Sequence, residues 1–273
     1  MSSSKSYEQG EIIGLETVDE IAARNAIETR GLYIARNLVP QKHIDLMRNS
    51  WLAECAGNVP MAPVIWGPFL GEPNQILFHK TETCCMFRSY DFLWNPPINK
   101  LTRDVGIELS RLRNRIAESE LFAGETIESD RYGIYITTSY YPPDEGWMAE
   151  HQDQADHRRH WHFMLLLTFK GDAYTKGGLI LIDKQGQRID VDAEVAPGDV
   201  IFFDGLCSHG VEPISGGAGI GRLQMFSIPT FMETPQQNDR MLEGISVVRF
   251  LKAKLRPLKY RLTGRIKNSG NVY

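Results

Sequence analysis

The sequence predicts a mainly β protein with flanking helices, built as a single domain around a double-sheet jelly roll. Between residues 132 and 229 the chain consists of about eight short β-branched or aromatic runs, broken by Gly, Pro and Asp and without a helical period. The flanking regions carry apolar residues at helical spacing. We therefore expect helices that buttress one face of a β core.

The composition is that of a globular protein, with 42% hydrophobic and 23% charged residues in a chain of 273. No apolar run approaches the roughly 18 residues that span a bilayer. The N-terminal stretch lacks the apolar segment of a signal peptide, so we expect a cytoplasmic protein. No C-x-x-C spacing occurs, and reduced thiols are expected at all four cysteines: Cys55, Cys84, Cys85 and Cys207.

The N-terminal region divides into helices and accessory strands that together occupy residues 11–124, after ten residues that we expect to be disordered. A helix is predicted from Thr17 to Thr29, with Thr17 as its N-cap and Gly31 at its end. A short strand follows in LYIARNLV, and a second helix begins after Pro40 and stops at Gly57.

The next segment is predicted to begin with a Pro- and Gly-rich loop over residues 58–74. One strand is predicted from His79 to Tyr90. A third helix then runs from Pro96 to about Glu118, with apolar residues at helical spacing. The predicted jelly-roll core follows over residues 125–232.

The C-terminal segment, residues 233–273, is predicted to be helical and basic. From Gly244 to Tyr273 the chain has eight Lys or Arg residues and no acidic ones, although the whole protein carries a net charge of −4. A basic amphipathic helix of this kind can contact an anionic membrane surface, or it can cap the acidic body. Both interpretations stay open. A nucleic-acid partner is not expected, because the body is acidic and carries no recognised binding motif.

One short motif indicates a metal site within the β region. His151 and Asp153 are two residues apart, so on a strand their side chains point to the same face. A second histidine, His209, lies in a later β segment that a sheet would bring alongside. Two histidines and one carboxylate on one face of a metal leave the opposite positions open, which is the ligand set of non-haem Fe(II) oxygenases.

The order of the surrounding segments strengthens this prediction. From about residue 132 to 230 the order resembles that of the Fe(II)/2-oxoglutarate-dependent dioxygenases. The shared pattern is H-x-D, a G-G-x-L strand, a P-G-D turn and strand, an H-G-V-x-P segment, and an arginine on the last barrel strand. The matching residues are His151, Asp153, Gly177, Gly178, Pro197, Gly198, Asp199, Phe202, His209, Gly210, Val211, Pro213 and Arg222.

The resemblance implies a double-stranded β-helix of the cupin type that binds Fe(II), with 2-oxoglutarate and O2 as co-substrates. It implies His151, Asp153 and His209 as metal ligands and Arg222 as the cation for the far carboxylate of 2-oxoglutarate. Tyr141 and Gln224 are further expected contacts of the co-substrate. The implied reaction is hydroxylation of a C–H bond in a small-molecule or lipid- or sugar-linked metabolite. Desaturation and ring formation are variants that the motif does not distinguish.

Two interpretations compete with this one. The chain could be a cupin-like protein that binds metal or metabolite without turnover, although Arg222 disfavours this. It could also be a zinc-dependent hydrolase on the same triad.

The cationic cluster His157, Arg158, Arg159, His160 and His162 is interpreted as a solvated connection whose histidines are redundant as ligands. If Arg158 or Arg159 turned toward the site, an anionic substrate group would be favoured.

Overall fold

The computed structural model describes residues 14, 18–55, 74–92, 96–119, 132–133, 135–153, 161–227 and 230–231. Four helices lie within these residues: α1 (Glu20–Arg30), α2 (Gln41–Cys55), α3 (Lys100–Ile116) and the single turn α4 (Val191–Glu194). The strands are β1 (Leu32–Ala35), β2 (Gln75–Lys80), β3 (Cys84–Phe92), β4 (Tyr132–Gly133), β5 (Tyr135–Tyr141), β6 (Trp147–His151), β7 (Trp161–Leu166), β8 (Lys176–Ile182), β9 (Arg188–Asp190), β10 (Val200–Asp204), β11 (His209–Ser215), β12 (Arg222–Ser227) and β13 (Thr230–Phe231).

The first helix begins later than predicted. Its N-cap is Asp19, whose carboxylate accepts hydrogen bonds from the backbone N–H groups of Ile21 and Ala22, so the assignment of Thr17 as the cap is wrong. The predicted end is confirmed. Gly31 adopts the left-handed conformation (φ 86°) and its N–H donates to the carbonyl of Ile27.

The segment predicted as one strand from His79 to Tyr90 is a hairpin. Residues 81–83 form a tight turn between β2 and β3, which pair antiparallel from Gln75↔Tyr90 to Lys80↔Cys85. The Thr81 hydroxyl stabilises this turn by accepting from the N–H groups of Thr83 and Cys84. The correction matters because β3 then pairs with β5 and becomes part of the barrel wall.

Eight strands, β5 to β12, form the predicted jelly roll, and all their pairings are antiparallel. Their order is β10-β7-β12-β5 in one sheet and β6-β11-β8-β9 in the other, with β3 joining the two. An apolar cluster contains Met164 and Phe226 from the first sheet together with Leu179 and Ile189 from the second. The two sheets therefore face each other across a shared interior.

Alternation along the strands separates this interior from the helical layer. On β12, Leu223 and Met225 pack in the same cluster as residues of α1, α2 and α3, whereas Phe226 packs inside the barrel. The helices therefore cover the outer face of the sheet that contains β12. Trp51 of α2 also donates from its indole nitrogen to Thr102 of α3 at 2.8 Å, which fixes the two helices to each other.

Several predicted features lie outside the described residues: the N-terminal ten residues, most of the loop over 58–74, residues 157–160 of the cationic cluster, and the basic segment over 233–273. The division into segments around one domain stays a prediction. Among the residues that are described, no helix has the length and apolar character needed to cross a bilayer. The four cysteines are buried free thiols.

Candidate metal centre

Two neighbouring strands, β6 and β11, bring the three predicted ligands together. His151 ends β6, His209 begins β11, and these two residues are directly paired in the sheet. Asp153 follows two residues after His151, held by a 2.9 Å hydrogen bond from its N–H to the carbonyl of Gly205. The ligand atoms of the three residues all lie within 4.8 Å of one another.

Both imidazoles are oriented for metal binding by backbone carbonyls. Nδ1 of His151 lies 3.0 Å from the carbonyl of Ala149, and Nδ1 of His209 lies 2.8 Å from the carbonyl of Cys207. A carbonyl only accepts hydrogen bonds, so Nδ1 carries the proton in each ring and Nε2 keeps its lone pair. Burial lowers the pKa of His209, although the Asp153 carboxylate acts in the opposite direction. The neutral, metal-binding form is therefore favoured.

The carboxylate of Asp153 completes a site suited to a divalent cation. Its oxygens lie 3.9 Å from Nε2 of His151 and 3.6 Å from Nε2 of His209. Oδ2 is buried and, within the described part of the chain, has no aligned hydrogen-bond donor. A buried carboxylate oxygen facing two imidazole lone pairs is unfavourable without a cation between them. The residues therefore fit a metal ion held by two nitrogens and one oxygen.

His162 is part of this site, so its interpretation as a solvated residue is wrong. It lies on β7, is 2% exposed, and places Nε2 3.1 Å from Oδ2 of Asp153. Its ring also packs against Phe203 and meets His209 edge-on. These two atoms are close but not aligned as a hydrogen bond, so we expect His162 to orient the Asp153 carboxylate after a small rotation of either side chain.

Replacing His162 by phenylalanine is expected to lower the affinity for a divalent metal roughly 10- to 100-fold, because outer partners of metal ligands typically contribute that much. Competition with a chromogenic chelator measures the dissociation constant. His79→Phe is a matched control, because His79 is a buried histidine on β2 that does not line the cavity. Equal affinities of the two variants would contradict the orienting role.

The triad faces a cavity between the two sheets. Tyr141 and Gln224, predicted as co-substrate contacts, both line it, and so does Arg88 of β3, which the sequence did not single out. The hydroxyl of Tyr141 donates to the sulfur of Met148 at 3.7 Å. Phe203 and Phe226 contribute apolar surface to the same cavity.

Arg222 is next to the cavity but is not part of its lining. Its side chain is fully buried, and Nε and Nη2 donate to the two carboxylate oxygens of Asp192 at 2.6 and 2.9 Å. Nη1 donates to Oε1 of Gln224. The carboxylate of Asp192 also accepts from the Tyr174 hydroxyl at 2.6 Å. No pattern in the sequence marks Asp192 as this partner.

The G-G-x-L motif makes room for that carboxylate. Gly178 has φ 118°, and a Cβ there would lie 2.4 Å from Oδ2 of Asp192. The absence of a side chain lets this oxygen reach the N–H of Leu179 at 3.0 Å. Burial raises the pKa of Asp192, but Arg222 and these hydrogen bonds outweigh it and leave that pKa lowered.

No family model and no curated protein matches the sequence. The fold, however, is similar to those of several solved structures. A prolyl-4-hydroxylase from Pseudomonas putida aligns over 77% of this chain and 98% of its own, at 16% identity and a TM-score of 0.54. The non-haem alpha-ketoglutarate-dependent carbocyclase SnoK from nogalamycin biosynthesis aligns over 79% and 85%, at 12% identity and a TM-score of 0.53.

The chain has the fold of the 2-oxoglutarate-dependent iron oxygenases. The epimerase SnoN, also from nogalamycin biosynthesis and alpha-ketoglutarate-dependent, aligns over 78% of this chain and 82% of its own, at 11% identity and a TM-score of 0.54. The jelly roll predicted from the motif order is thereby confirmed. At such identities the likeness is one of fold, so the chemistry has to be argued from the site.

Proposed function

We propose that this chain is an Fe(II)- and 2-oxoglutarate-dependent oxygenase. The observation that carries the proposal is the assembly of His151, Asp153 and His209 within 4.8 Å at one wall of an internal cavity. This ligand set is diagnostic of non-haem Fe(II) oxygenases, because it leaves coordination positions for exogenous ligands. The fold shared with 2-oxoglutarate-dependent enzymes supports the same reaction class.

The proposed reaction consumes O2 and 2-oxoglutarate and yields succinate, CO2 and a substrate in which C–H has become C–OH. Iron held by the triad would supply the activation of O2. The protein contributes two neutral imidazoles fixed through Nδ1, one carboxylate that offsets part of the metal charge, and apolar walls from Phe203 and Phe226. Such walls limit access of water to the reacting groups.

We propose a small-molecule or lipid- or sugar-linked metabolite as the substrate. The triad opens into a concave site where polar groups such as Arg88 and Gln224 lie among apolar side chains, which is the character of small-molecule sites. Desaturation or ring formation on the same site remain alternatives to hydroxylation. Contact of the basic C-terminal segment with an anionic surface stays a prediction, because that segment lies outside the described residues.

Succinate formation tests this function. Purified protein supplied with Fe(II) and 2-oxoglutarate is expected to form succinate only when O2 is present. His151→Ala is expected to reduce the yield to background, because one of three ligands is lost. Gln152→Ala is the matched control, since Gln152 lies between two ligands yet is exposed. Iron-loaded protein that forms no succinate with a broad substrate panel would contradict the proposal, and tightly held zinc with no effect of 2-oxoglutarate would favour a hydrolase.

A further inference from the structure

A single turn holds two of the three predicted metal ligands. It comprises residues 205–208, between the end of β10 and the start of β11. The Gly205 carbonyl accepts the N–H of Asp153 at 2.9 Å, and the Cys207 carbonyl lies 2.8 Å from Nδ1 of His209. Asp153 lies beyond the end of β6, so the hydrogen bond to Gly205 fixes its backbone where that strand has ended. The position of the turn therefore sets the positions of both ligands.

Asp204, the last residue of β10, closes this turn. Its Oδ1 accepts the N–H of Leu206 at 3.1 Å, and its backbone carbonyl accepts the N–H of Cys207 at 2.9 Å. A carboxylate that accepts from the N–H two residues ahead mimics a backbone turn. Asp204 is 6% exposed, so water competes little for this oxygen. The side chain and the backbone of Asp204 thus fix the same turn.

Lys184 connects Asp204 to the end of helix α1. Its ammonium nitrogen lies 2.8 Å from Oδ2 of Asp204 and donates to the carbonyl of Glu28 at 3.3 Å. Its backbone N–H donates to the carbonyl of Arg30 at 3.1 Å. Both carbonyls belong to the last turn of α1, where no partner exists within the helix. Lys184 therefore caps α1 and anchors the carboxylate that closes the turn.

The turn also packs directly against the end of α1. The N–H of Asp204 donates to the carbonyl of Gly31 at 2.9 Å. A Cβ at Gly31 would lie 2.3 Å from Sγ of Cys207, so a side chain there would force the turn away. The turn is therefore held from two sides, by the end of α1 and by the β8–β9 connection that carries Lys184.

We propose that Asp204 is a positioning residue of the metal centre, which holds the turn so that Asp153 and His209 are in place before the metal binds. This inference rests on the metal centre of the proposed function and does not depend on the reaction. Ligands that are already ordered lose less conformational entropy on binding, so a looser turn weakens the affinity for metal. Asp204 acts through the carbonyls of Gly205 and Cys207 and is not itself a ligand.

Cobalt binding tests the proposal. Co(II) replaces Fe(II) without oxidation in air, and its visible absorption depends on the number and arrangement of its ligands. Competition with a chromogenic chelator measures the dissociation constant. Asp204→Ala is expected to raise it roughly tenfold, the lower end of the range for outer partners of metal ligands, because Asp204 acts through such partners. The absorption spectrum at saturating Co(II) should also differ from that of wild-type protein, because Asp153 and His209 are less precisely placed.

Matched variants separate closure of the turn from general stability. Asp204→Asn keeps an oxygen that can accept from Leu206, so it should restore most of the affinity and the spectrum. Lys184→Met removes the link to α1 and should raise the dissociation constant by less than Asp204→Ala does. Asp183→Ala is the control, because Asp183 is also buried and accepts from the N–H of Gln185 at 2.9 Å, in a turn that carries none of the three ligands. It should bind Co(II) as wild-type protein does.

The outcomes separate this inference from the function on which it rests. Wild-type protein that binds no divalent metal overturns both. Wild-type protein that binds Co(II), but forms no succinate when loaded with Fe(II), contradicts the oxygenase alone. An Asp204→Ala variant with wild-type affinity and spectrum, or a loss equally large in Asp183→Ala, overturns the role of Asp204. If denaturant unfolding shows that Asp204→Ala does not fold, Lys184→Met decides, and wild-type affinity in that variant overturns the role.

Discussion

Replacing Asp153 by asparagine is expected to lower the affinity of the site for Fe(II) at least about 100-fold, because even outer partners of metal ligands contribute roughly 10- to 100-fold. The substitution keeps the size of the side chain and removes its charge. Oδ2 of Asp153 is the buried oxygen that faces His209 and His162. Without that charge, two neutral imidazoles hold the cation alone, and turnover of 2-oxoglutarate should fall to background.

Metal titration and succinate formation measure the two effects separately. Glu150→Gln is the matched control, because it removes the same charge three residues earlier. Glu150 is half exposed and paired with Arg188, outside the cavity. Its variant should bind Fe(II) and form succinate as wild-type protein does. An Asp153→Asn variant that keeps wild-type metal affinity would show that the carboxylate is not a ligand.

The parts of the site that sequence could predict are those encoded by local spacing. The two-residue spacing predicted that the side chains of His151 and Asp153 lie close together, and they do, although β6 ends at His151 and Asp153 lies just beyond it. Adding His209 required the order of the β segments, which fixes the topology of a jelly roll and hence the pairing of β6 with β11. Alternating apolar residues and turn glycines indicated the β segments, and the resemblance of their order to that of the Fe(II)/2-oxoglutarate-dependent dioxygenases implied the topology.

The parts that sequence could not predict depend on contacts between distant residues. Asp192 is one of several acidic residues near a one-turn helix, and nothing in its neighbours marks it as the partner of Arg222 thirty positions later. Arg88 was placed on the right strand, but its cavity position depends on how β3 pairs with β5. His162 was misjudged because its charged neighbours resemble a solvated loop, whereas β7 buries it.

Replacing Asp192 by asparagine is expected to lower the free energy of unfolding by about 3–5 kcal/mol, because removing one partner of a buried ion pair leaves the other charge uncompensated. Both side chains are fully buried, so solvent does not screen the interaction. The total stability of a domain is about 5–15 kcal/mol, so a loss of this size is a large fraction of it. Denaturant unfolding at pH 7 measures the difference.

The double variant Asp192→Leu/Arg222→Met separates charge from packing. Replacing a buried pair by apolar residues of similar volume is often neutral or stabilising, so this variant should recover most of the lost stability. A double variant as unstable as Asp192→Asn would show that the shape of the pair matters more than its charge. The Tyr174 hydroxyl can still donate to the amide oxygen in Asp192→Asn but loses its acceptor in the double variant, so this lost hydrogen bond lowers the stability of the double variant alone.

The pH dependence of the difference in free energy of unfolding between wild-type protein and Asp192→Asn gives an independent check. The folded pKa of Asp192 is lowered by Arg222 and by its hydrogen bonds, against the effect of burial. The ionised carboxylate therefore contributes stability that is fully present above its unfolded pKa of about 3.9 and is lost as the pH falls through the lower folded value. The difference in free energy of unfolding between wild-type protein and Asp192→Asn should be constant near neutral pH and become smaller only below about pH 4. If this difference in free energy of unfolding became smaller as the pH rose above neutrality, a group other than Asp192 would control the pH dependence.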